Sequence, residues 1–129
     1  MLFPNMGITA IIIEDDCELC EVEKELLELN DIVVLAIGNN GQEAVELYQK
    51  FKPDIVLMDV RMPNYDGIYG LENIRKFDPK SKIIMITAES NDGTIQKINE
   101  LKASALILKP FDASKLFKTI DGLFSKTEI

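Results

Sequence analysis

The sequence predicts an α/β fold, a (βα)5 three-layer sandwich in which helices cover both faces of a five-stranded parallel sheet. Short apolar runs alternate five times with segments whose apolar residues recur at helical spacing. The run 55–58, bracketed by Pro53 and the turn-rich stretch 63–67, is too short for a helix core, and it is typical of a strand buried on both faces. Alternating strands and helices favour a parallel sheet, and we expect the strand order 2-1-3-4-5.

The predicted strands are short apolar runs that end at polar or turn residues. In chain order they cover residues 8–13, 32–37, 55–58, 82–86 and 105–108.

The predicted helices are amphipathic. The first follows Asp16 as its N-cap, the second covers about 42–51, the third begins near Gly67, the fourth covers about 92–101 and the fifth follows Pro110. The apolar residues expected to face the core are Leu19, Val22, Leu26 and Leu29 in the first, Ala44, Val45, Tyr48 and Phe51 in the second, Ile68, Leu71 and Ile74 in the third, Ile95, Ile98 and Leu101 in the fourth, and Leu116, Phe117, Ile120, Leu123 and Phe124 in the fifth.

The length and composition indicate one globular domain. The chain has 129 residues, of which 47% are hydrophobic and 28% charged. We expect a loose leader at 1–7, the domain at 8–126 and a short tail at 127–129. The net charge of −8 argues against direct nucleic-acid binding by this chain.

Several classes of site and location are excluded or disfavoured. The chain has no histidine, so it carries no His-ligated zinc, His–Asp relay or phosphohistidine. Its apolar runs are too short to span a membrane. Its two cysteines, without an export signal, indicate a cytoplasmic location.

Polar side chains stand where the predicted strands end: Glu14-Asp15, Asp59, Thr87 and Lys109. The carboxyl ends of parallel strands meet at one edge of the sheet, where open α/β folds place their chemistry. Three carboxylates there would repel one another unless a hard cation such as Mg²⁺ joined them. A lysine and a threonine hydroxyl suit phosphoryl oxygens, so the set predicts phosphoryl transfer with Asp59 as the nucleophile.

The same residues carry a family resemblance. The segments Ile-Ile-Ile-Glu14-Asp15-Asp16, Asp54 to Pro63, Asp66-Gly67, Ile86-Thr87-Ala88 and Leu108-Lys109-Pro110-Phe111 follow in order, each at a predicted strand end. Over about residues 8–126 the sequence resembles the receiver domain of two-component response regulators, which has a flavodoxin-like fold, and it is similar to single-domain chemotaxis-type receivers.

The resemblance implies a role for each site residue. Asp59 would accept a phosphoryl group from a partner sensor histidine kinase. Mg²⁺, with Mn²⁺ as an alternative ion, would be bound by Glu14, Asp15, Asp59 and the backbone carbonyl of Arg61. Thr87 and Lys109 would hold the phosphoryl oxygens, and the Lys109–Pro110 bond would be cis.

The resemblance also implies the output. The chain would be no ordinary enzyme, since it catalyses only its own phosphorylation and slow dephosphorylation. The phosphoryl group would switch a surface of the fourth helix, fifth strand and fifth helix toward a downstream protein partner. We expect no membrane contact.

The sequence departs from the family pattern at two places. Leu106 stands where the family usually has an aromatic switch residue, and Lys102 stands where it often has glycine. We also hypothesise that Arg61 pairs with Glu89 and shields the phosphoryl group from water.

Other interpretations remain open for single features. Glu14-Asp15-Asp16 is also typical of an acidic helix start, and we assign Asp16 to that role. Cys17 and Cys20 form a C-x-x-C motif, but their acidic neighbours favour core-filling or incidental cysteines over a redox pair. A Walker B strand is disfavoured because no P-loop motif exists. With Leu106 as its motivation, a phosphorylation-independent interaction module remains the alternative function.

Overall fold

The computed structural model describes residues 7–88 and 92–124. Most of the expected leader and the whole of the expected tail therefore lie outside the described residues. Ten elements follow one another as β1 Thr9–Ile13, α1 Cys17–Leu29, β2 Val33–Gly38, α2 Gly41–Phe51, β3 Ile55–Asp59, α3 Gly67–Phe77, β4 Ile83–Thr87, α4 Asp92–Glu100, β5 Ala105–Leu108 and α5 Ala113–Phe124.

The five strands form one sheet in the order β2-β1-β3-β4-β5, and every neighbouring pair is parallel. This confirms the predicted fold class and strand order. The predicted strand bounds differ by one residue at β1, β2, β3 and β4. β3 is buried along its whole length, as the apolar run 55–58 predicted, and β4 is buried along its whole length too.

Two apolar layers sandwich the sheet. One packs α2, α3 and α4 against alternate strand residues and contains Ala44, Tyr48, Leu71, Ile74 and Ile98. The other packs α1 and α5 against the opposite face and contains Cys20, Leu27, Leu116 and Ile120. No helix of the described ranges has the length and apolar character needed to cross a bilayer.

The predicted core face of α1 was wrong by one position. The structure buries Cys20, Glu23 and Leu27, whereas Val22 is 51% exposed and Leu29 is 80% exposed. The leucines and valine are spaced like a core stripe, but the face that meets the sheet is shifted and includes a carboxylate. Glu23 is therefore buried where the apolar pattern predicted solvent.

Polar caps set the beginnings of the helices. Asp16 accepts hydrogen bonds from the backbone N–H groups of Glu18 and Leu19 at 2.9 and 3.3 Å, which confirms it as the N-cap of α1. Asn40 and Asp66 cap α2 and α3 in the same way. These caps fix the residues at which the loops after β1, β2 and β3 become helices. They therefore fix the length of the loops at the carboxyl ends of these strands.

Candidate functional site

Three carboxylates converge at the carboxyl ends of β1 and β3. The two strands are adjacent, with Ile13 opposite Met58, so Glu14 and Asp59 emerge side by side. Oxygen atoms of Glu14, Asp15 and Asp59 all lie within 4.8 Å of one another. Glu14 and Asp59 are buried, whereas Asp15 is exposed. The structure thus brings together the three carboxylates that the sequence singled out.

Lys109 reaches the same cluster from the end of β5. Its Nζ lies 2.9 Å from Asp59 Oδ1 and 3.4 Å from Glu14 Oε1. The ammonium is therefore a bridge between two buried carboxylates. Charge-assisted hydrogen bonds of this kind are about twice as strong as neutral ones.

Burial and mutual repulsion perturb the ionisation of this cluster. Burial raises the pKa of Asp59, although the hydrogen bond and the positive charge of Lys109 act to lower it. Burial also raises the pKa of Glu14, and the negative charge of Asp59 adds to the rise. Burial alone would lower the pKa of Lys109, but its bond to Asp59 and the charge of Glu14 raise it overall. The cluster therefore holds excess negative charge that a cation would relieve.

Thr87 is the last residue of β4, and its side chain is buried. β4 lies beside β3, with Asp59 opposite Ile86, so Thr87 stands one position beyond the aspartate. The backbone N–H of Lys109 donates to the carbonyl of Thr87 at 2.9 Å. The peptide bond from Lys109 to Pro110 is cis, which confirms that expectation.

The loop after β3 holds Asp59 in place through a close backbone approach. The N–H of Gly67 donates to the carbonyl of Val60 at 2.9 Å, and a Cβ at Gly67 would overlap the carbonyl oxygen of Asp59. Arg61 lies in this loop and is exposed. Its proposed partner Glu89 lies outside the described residues.

The residues present fit a hard divalent ion. Three carboxylates from two adjacent strand ends supply oxygen ligands at one point, which is the ligand type that Mg²⁺ prefers. The excess negative charge of the cluster also favours binding of a cation. The acidic cluster can therefore hold a metal ion.

The family assignment agrees with this geometry. Residues 10–121 match the model of the response regulator receiver domain. The chain belongs to the response regulator receiver family. In such receiver domains the acidic pocket binds Mg²⁺, and the family role is that of a phosphoacceptor in two-component signalling. Receiver domains are signalling modules that interact with histidine kinases and downstream targets.

Relatives of similar length support the assignment. Protein CcdB of Bacillus subtilis is 35% identical over 114 residues, covering 88% of this chain and 95% of that protein. Chemotaxis protein CheY of the same organism is 33% identical over 116 residues, covering 90% of this chain and 97% of CheY.

Solved structures of receiver domains share the fold. The CheX-CheY-BeF3-Mg complex from Borrelia burgdorferi contains a chain that superposes with a TM-score of 0.88 at 27% identity, covering 94% of this chain and 92% of that chain. The expectation of a receiver domain with a flavodoxin-like fold is confirmed.

The two cysteines of the receiver domain differ in environment. Cys20 is buried, its thiol donates to the carbonyl of Glu14 at 3.2 Å, and burial raises its pKa to about 11. Cys17 is exposed. A reactive thiol needs a lowered pKa, so the core-filling interpretation holds for Cys20.

Sequence reasoning missed Glu23, a buried carboxylate of the receiver domain near this site. Burial raises its pKa to about 7, the charges of Glu14 and Asp59 add to the rise, and the charge of Lys109 opposes it. Its only sequence signal is its position three residues after Cys20 and four before Leu27, on the face that the structure buries.

Proposed function

We propose that Asp59 accepts a phosphoryl group from the phosphohistidine of a partner sensor histidine kinase, in a step that requires Mg²⁺. The observation that carries this proposal is the 2.9 Å contact between the Lys109 ammonium and Asp59, beside the carboxylates of Glu14 and Asp15. It supports the proposal because a carboxylate, an ammonium and two further carboxylates meet at one point. Positioning and charge neutralisation do most of the catalysis in phosphoryl transfer.

The residues have separate roles in the proposed step. A carboxylate oxygen of Asp59 forms a bond to phosphorus while the bond from phosphorus to the imidazole nitrogen breaks, and the imidazole keeps the electron pair and takes a proton from solvent. Lys109 and the hydroxyl of Thr87 bind the transferred oxygens. Glu14, Asp15, Asp59 and the Arg61 carbonyl would hold Mg²⁺, which neutralises phosphoryl charge when bound. Slow self-catalysed hydrolysis restores Asp59.

The site residues keep Asp59 ready for this step. The Gly67 loop fixes the aspartate backbone, and burial in the sheet rim excludes most bulk water. Because Lys109 pairs with the free carboxylate, its ammonium lies beside the group that would carry the phosphoryl group.

Intact mass after incubation with acetyl phosphate and Mg²⁺ tests the proposal. We expect one phosphoryl adduct of about 80 Da, absent when EDTA is added and absent in Asp59→Asn. Asp66→Asn is the matched control, because asparagine also caps a helix and Asp66 lies outside the carboxylate trio. An Asp59→Asn protein that still gains the adduct would place the phosphoacceptor elsewhere.

We further propose that α4, β5 and α5 form the surface that meets a downstream protein. A groove of about 480 Å³ lies there, with Leu106, Leu108, Phe111 and Lys115 among its lining residues. Leu108, the last residue of β5, is 47% exposed. Hydrogen exchange at these amides, with and without acetyl phosphate, should differ; identical exchange in a phosphorylated sample would rule out this surface.

The alternative is an interaction module that does not use phosphorylation. Leu106 favours it, because this residue is partly buried against the core and lacks the aromatic ring that the family usually moves at this position. Failure of acetyl phosphate and of a histidine kinase to label Asp59 would favour this alternative.

We propose a cytoplasmic location for this chain, supported by its two free cysteines. We also propose that it makes no direct contact with nucleic acid or membrane, which its net charge of −8 supports.

A further inference from the structure

Most basic residues of the chain gather where α2, α3 and α4 end, at the pole of the sheet opposite Asp59. The ranges 50–54, 75–82 and 97–102 contain eight basic and three acidic residues, a net charge of +5, so the rest of the chain carries −13. Lysines at helix C-termini are favoured by the helix dipole, but α1 and α5 have no basic residue in their last turns. The dipole alone therefore does not explain why the cations lie on the face of the sheet that α2, α3 and α4 cover.

Side-chain contacts join these three helix ends to one another. The hydroxyl of Tyr48 in α2 donates to the carboxylate of Asp78, which follows α3, at 2.7 Å. Arg75 in α3 donates to the hydroxyl of Ser104, in the loop between α4 and β5, at 3.1 Å. The exposed lysines of the three ends form a continuation of these contacts, which we call the basic surface: Lys50, Lys52, Lys76, Lys80, Lys97 and Lys102.

Arg75 belongs to this surface and carries a charge that no carboxylate of the described residues compensates by an ion pair. Its guanidinium donates to the carbonyl of Pro79 at 3.4 Å and to Ser104, and both acceptors are neutral. Asp78 lies near enough to influence the pKa of Arg75, but its two oxygens already accept hydrogen bonds from a tyrosine hydroxyl and a backbone N–H. Burial lowers the pKa of Arg75, and its Nε has no acceptor within residues 7–88 and 92–124. The guanidinium therefore favours a carboxylate from another molecule.

Phe77 gives the basic surface an apolar component. It is the last residue of α3 and is 46% exposed. Its ring packs edge-on against the ring of Tyr48, with centroids 6.2 Å apart, so the side chain is held in place while nearly half of the residue meets solvent. A ligand that combines carboxylates with an apolar side chain would contact both parts of this surface.

We propose that the basic surface binds a short acidic segment of a partner protein, with one carboxylate on Arg75 and an apolar side chain on Phe77. At physiological ionic strength charges are screened over about 8 Å, so a short segment experiences mainly the local charge of +5. A membrane or a nucleic acid extends well beyond this distance and also meets the −13 of the rest of the chain. The charge distribution therefore favours a protein segment over either polyanion.

An NMR titration of the full chain, without acetyl phosphate, tests the proposal with a capped Glu-Asp-Leu-Glu-Asp-Leu peptide as the probe. We expect saturable shifts at the amides of Arg75, Phe77, Lys80 and Ser104, and binding that weakens at least fivefold when NaCl is raised from about 50 to about 300 mM. The matched peptide Gln-Asn-Leu-Gln-Asn-Leu, which lacks the charges, should give no saturable shifts. Equal binding of the two peptides, or no saturable binding of the acidic one, would overturn the proposal.

Variants separate the basic surface from general positive charge. The double variant Lys76→Gln with Lys80→Gln should weaken binding of the acidic peptide at least fivefold, whereas Lys115→Gln with Lys118→Gln, an equal charge change at exposed positions of α5, should leave it unchanged. Arg75→Gln should weaken binding at least tenfold. Because Arg75 is half-buried, urea denaturation checks that this variant folds, and the exposed double variant tests the surface independently. Full binding by Lys76→Gln with Lys80→Gln, or equal weakening in the α5 variant, would overturn the proposal.

The remaining tests concern the class of partner. The probes are a single-stranded oligonucleotide of six thymidines and vesicles of phosphatidylglycerol and phosphatidylcholine in equal amounts. If either binds through Lys76 and Lys80 more than tenfold more tightly than the acidic peptide, the protein segment is the wrong ligand. Self-association of the chain in sedimentation, lost in Lys76→Gln with Lys80→Gln, would identify a second copy as the occupant and overturn the proposal. A monomeric chain that binds both probes more weakly than the peptide supports it.

Discussion

The Nζ of Lys109 lies 2.9 Å from Oδ1 of Asp59, and this contact joins the end of β5 to the end of β3. Asp59 is buried and Lys109 is partly buried, so each depends on the other for compensation of its charge. Removing one partner of such a pair leaves the other charge uncompensated, which costs more than the pair itself contributes.

Lys109→Met should lower the free energy of unfolding by about 2 kcal/mol, because Asp59 and Glu14 lose their shared cation. It should also raise the affinity for Mg²⁺, since no ammonium then competes for the carboxylates. Urea denaturation with and without Mg²⁺ measures both effects. Lys118→Met, at an exposed position of α5, is the control and should change neither quantity; a similar loss in both variants would contradict a specific role for Lys109.

Mg²⁺ should stabilise the folded chain through the carboxylate trio. At one hundred times the dissociation constant, binding to the folded state alone contributes about 2.7 kcal/mol. Thermal denaturation at pH 7.5 should show this gain in the wild type and in Asp16→Asn, which keeps the helix cap and the trio. Asp15→Asn should lose most of the gain; retention of the full gain in Asp15→Asn would exclude that residue as a ligand.

Glu23→Gln should stabilise the chain at high pH. The carboxyl titrates near 4.5 in the unfolded chain and near 7 in the folded chain, so the folded state binds more protons between these values and its stability falls as pH rises through that window. Ionisation of Glu23 lowers the free energy of unfolding by up to about 3 kcal/mol, and this loss is complete above pH 7. The substitution removes the loss.

The measurement for Glu23→Gln is urea denaturation at pH 4 and at pH 8. The variant and wild type should differ little at pH 4 and most at pH 8. Glu21→Gln should follow the wild type within about 0.5 kcal/mol at both values, as surface substitutions do. A difference that is the same at both pH values would show that packing, rather than ionisation, sets the effect.

Gly67→Ala should lower the free energy of unfolding by about 3 kcal/mol, because the new Cβ would overlap the backbone carbonyl of Asp59. The same change at Gly122 meets no atom within 4 Å and lies inside α5, so Gly122→Ala should raise stability by about 1 kcal/mol. Chemical denaturation measures the change in the free energy of unfolding for each variant. The two changes should have opposite signs if the close approach at Gly67, rather than the loss of a glycine as such, decides stability.

Lys102→Gly should raise the free energy of unfolding by about 0.5–1 kcal/mol. Lys102 has φ = 59°, and this left-handed conformation costs a residue with a side chain about 1–2 kcal/mol. Glycine avoids this cost, but it offsets part of the gain because its unfolded chain has more conformational entropy to lose on folding. Lys97→Gly, inside α4, is the control and should lower stability by about 1 kcal/mol. Destabilisation by both changes would show that the left-handed residue is not strained.

The apolar pattern predicted the ten elements because the runs have the lengths and periodicities of strands and helices. The expected strand order came from the precedent of open α/β folds rather than from the pattern itself. The pattern failed on α1, where Leu26 and Leu27 allow two neighbouring stripes. The stripe with fewer apolar residues faces the sheet, and the other contributes Leu19, Val22 and Leu26 to a groove beside Pro110. Sequence periodicity alone does not distinguish a core stripe from a groove wall.

The carboxylate and lysine cluster was predictable because parallel strands bring their carboxyl ends to one edge. The burial of Glu23 was not, because a glutamate in an amphipathic helix is normally assigned to solvent. The lysine at position 102 gives no sign of its left-handed backbone, which only the glycine that the family often has there could have suggested. Both depend on how elements distant in sequence meet.

Lys109 follows Glu14 by 95 residues, and β5 is the last strand of the sheet. At a translation rate of about 5–20 residues per second, a growing chain has its three acidic side chains for several seconds before the lysine that neutralises them is made. During that interval Lys109 cannot compensate these charges, and the monovalent and divalent cations of the solvent are the available counter-charge for the strand ends. The ionic conditions at the ribosome therefore bear on how readily β1 and β3 first pair in the nascent chain.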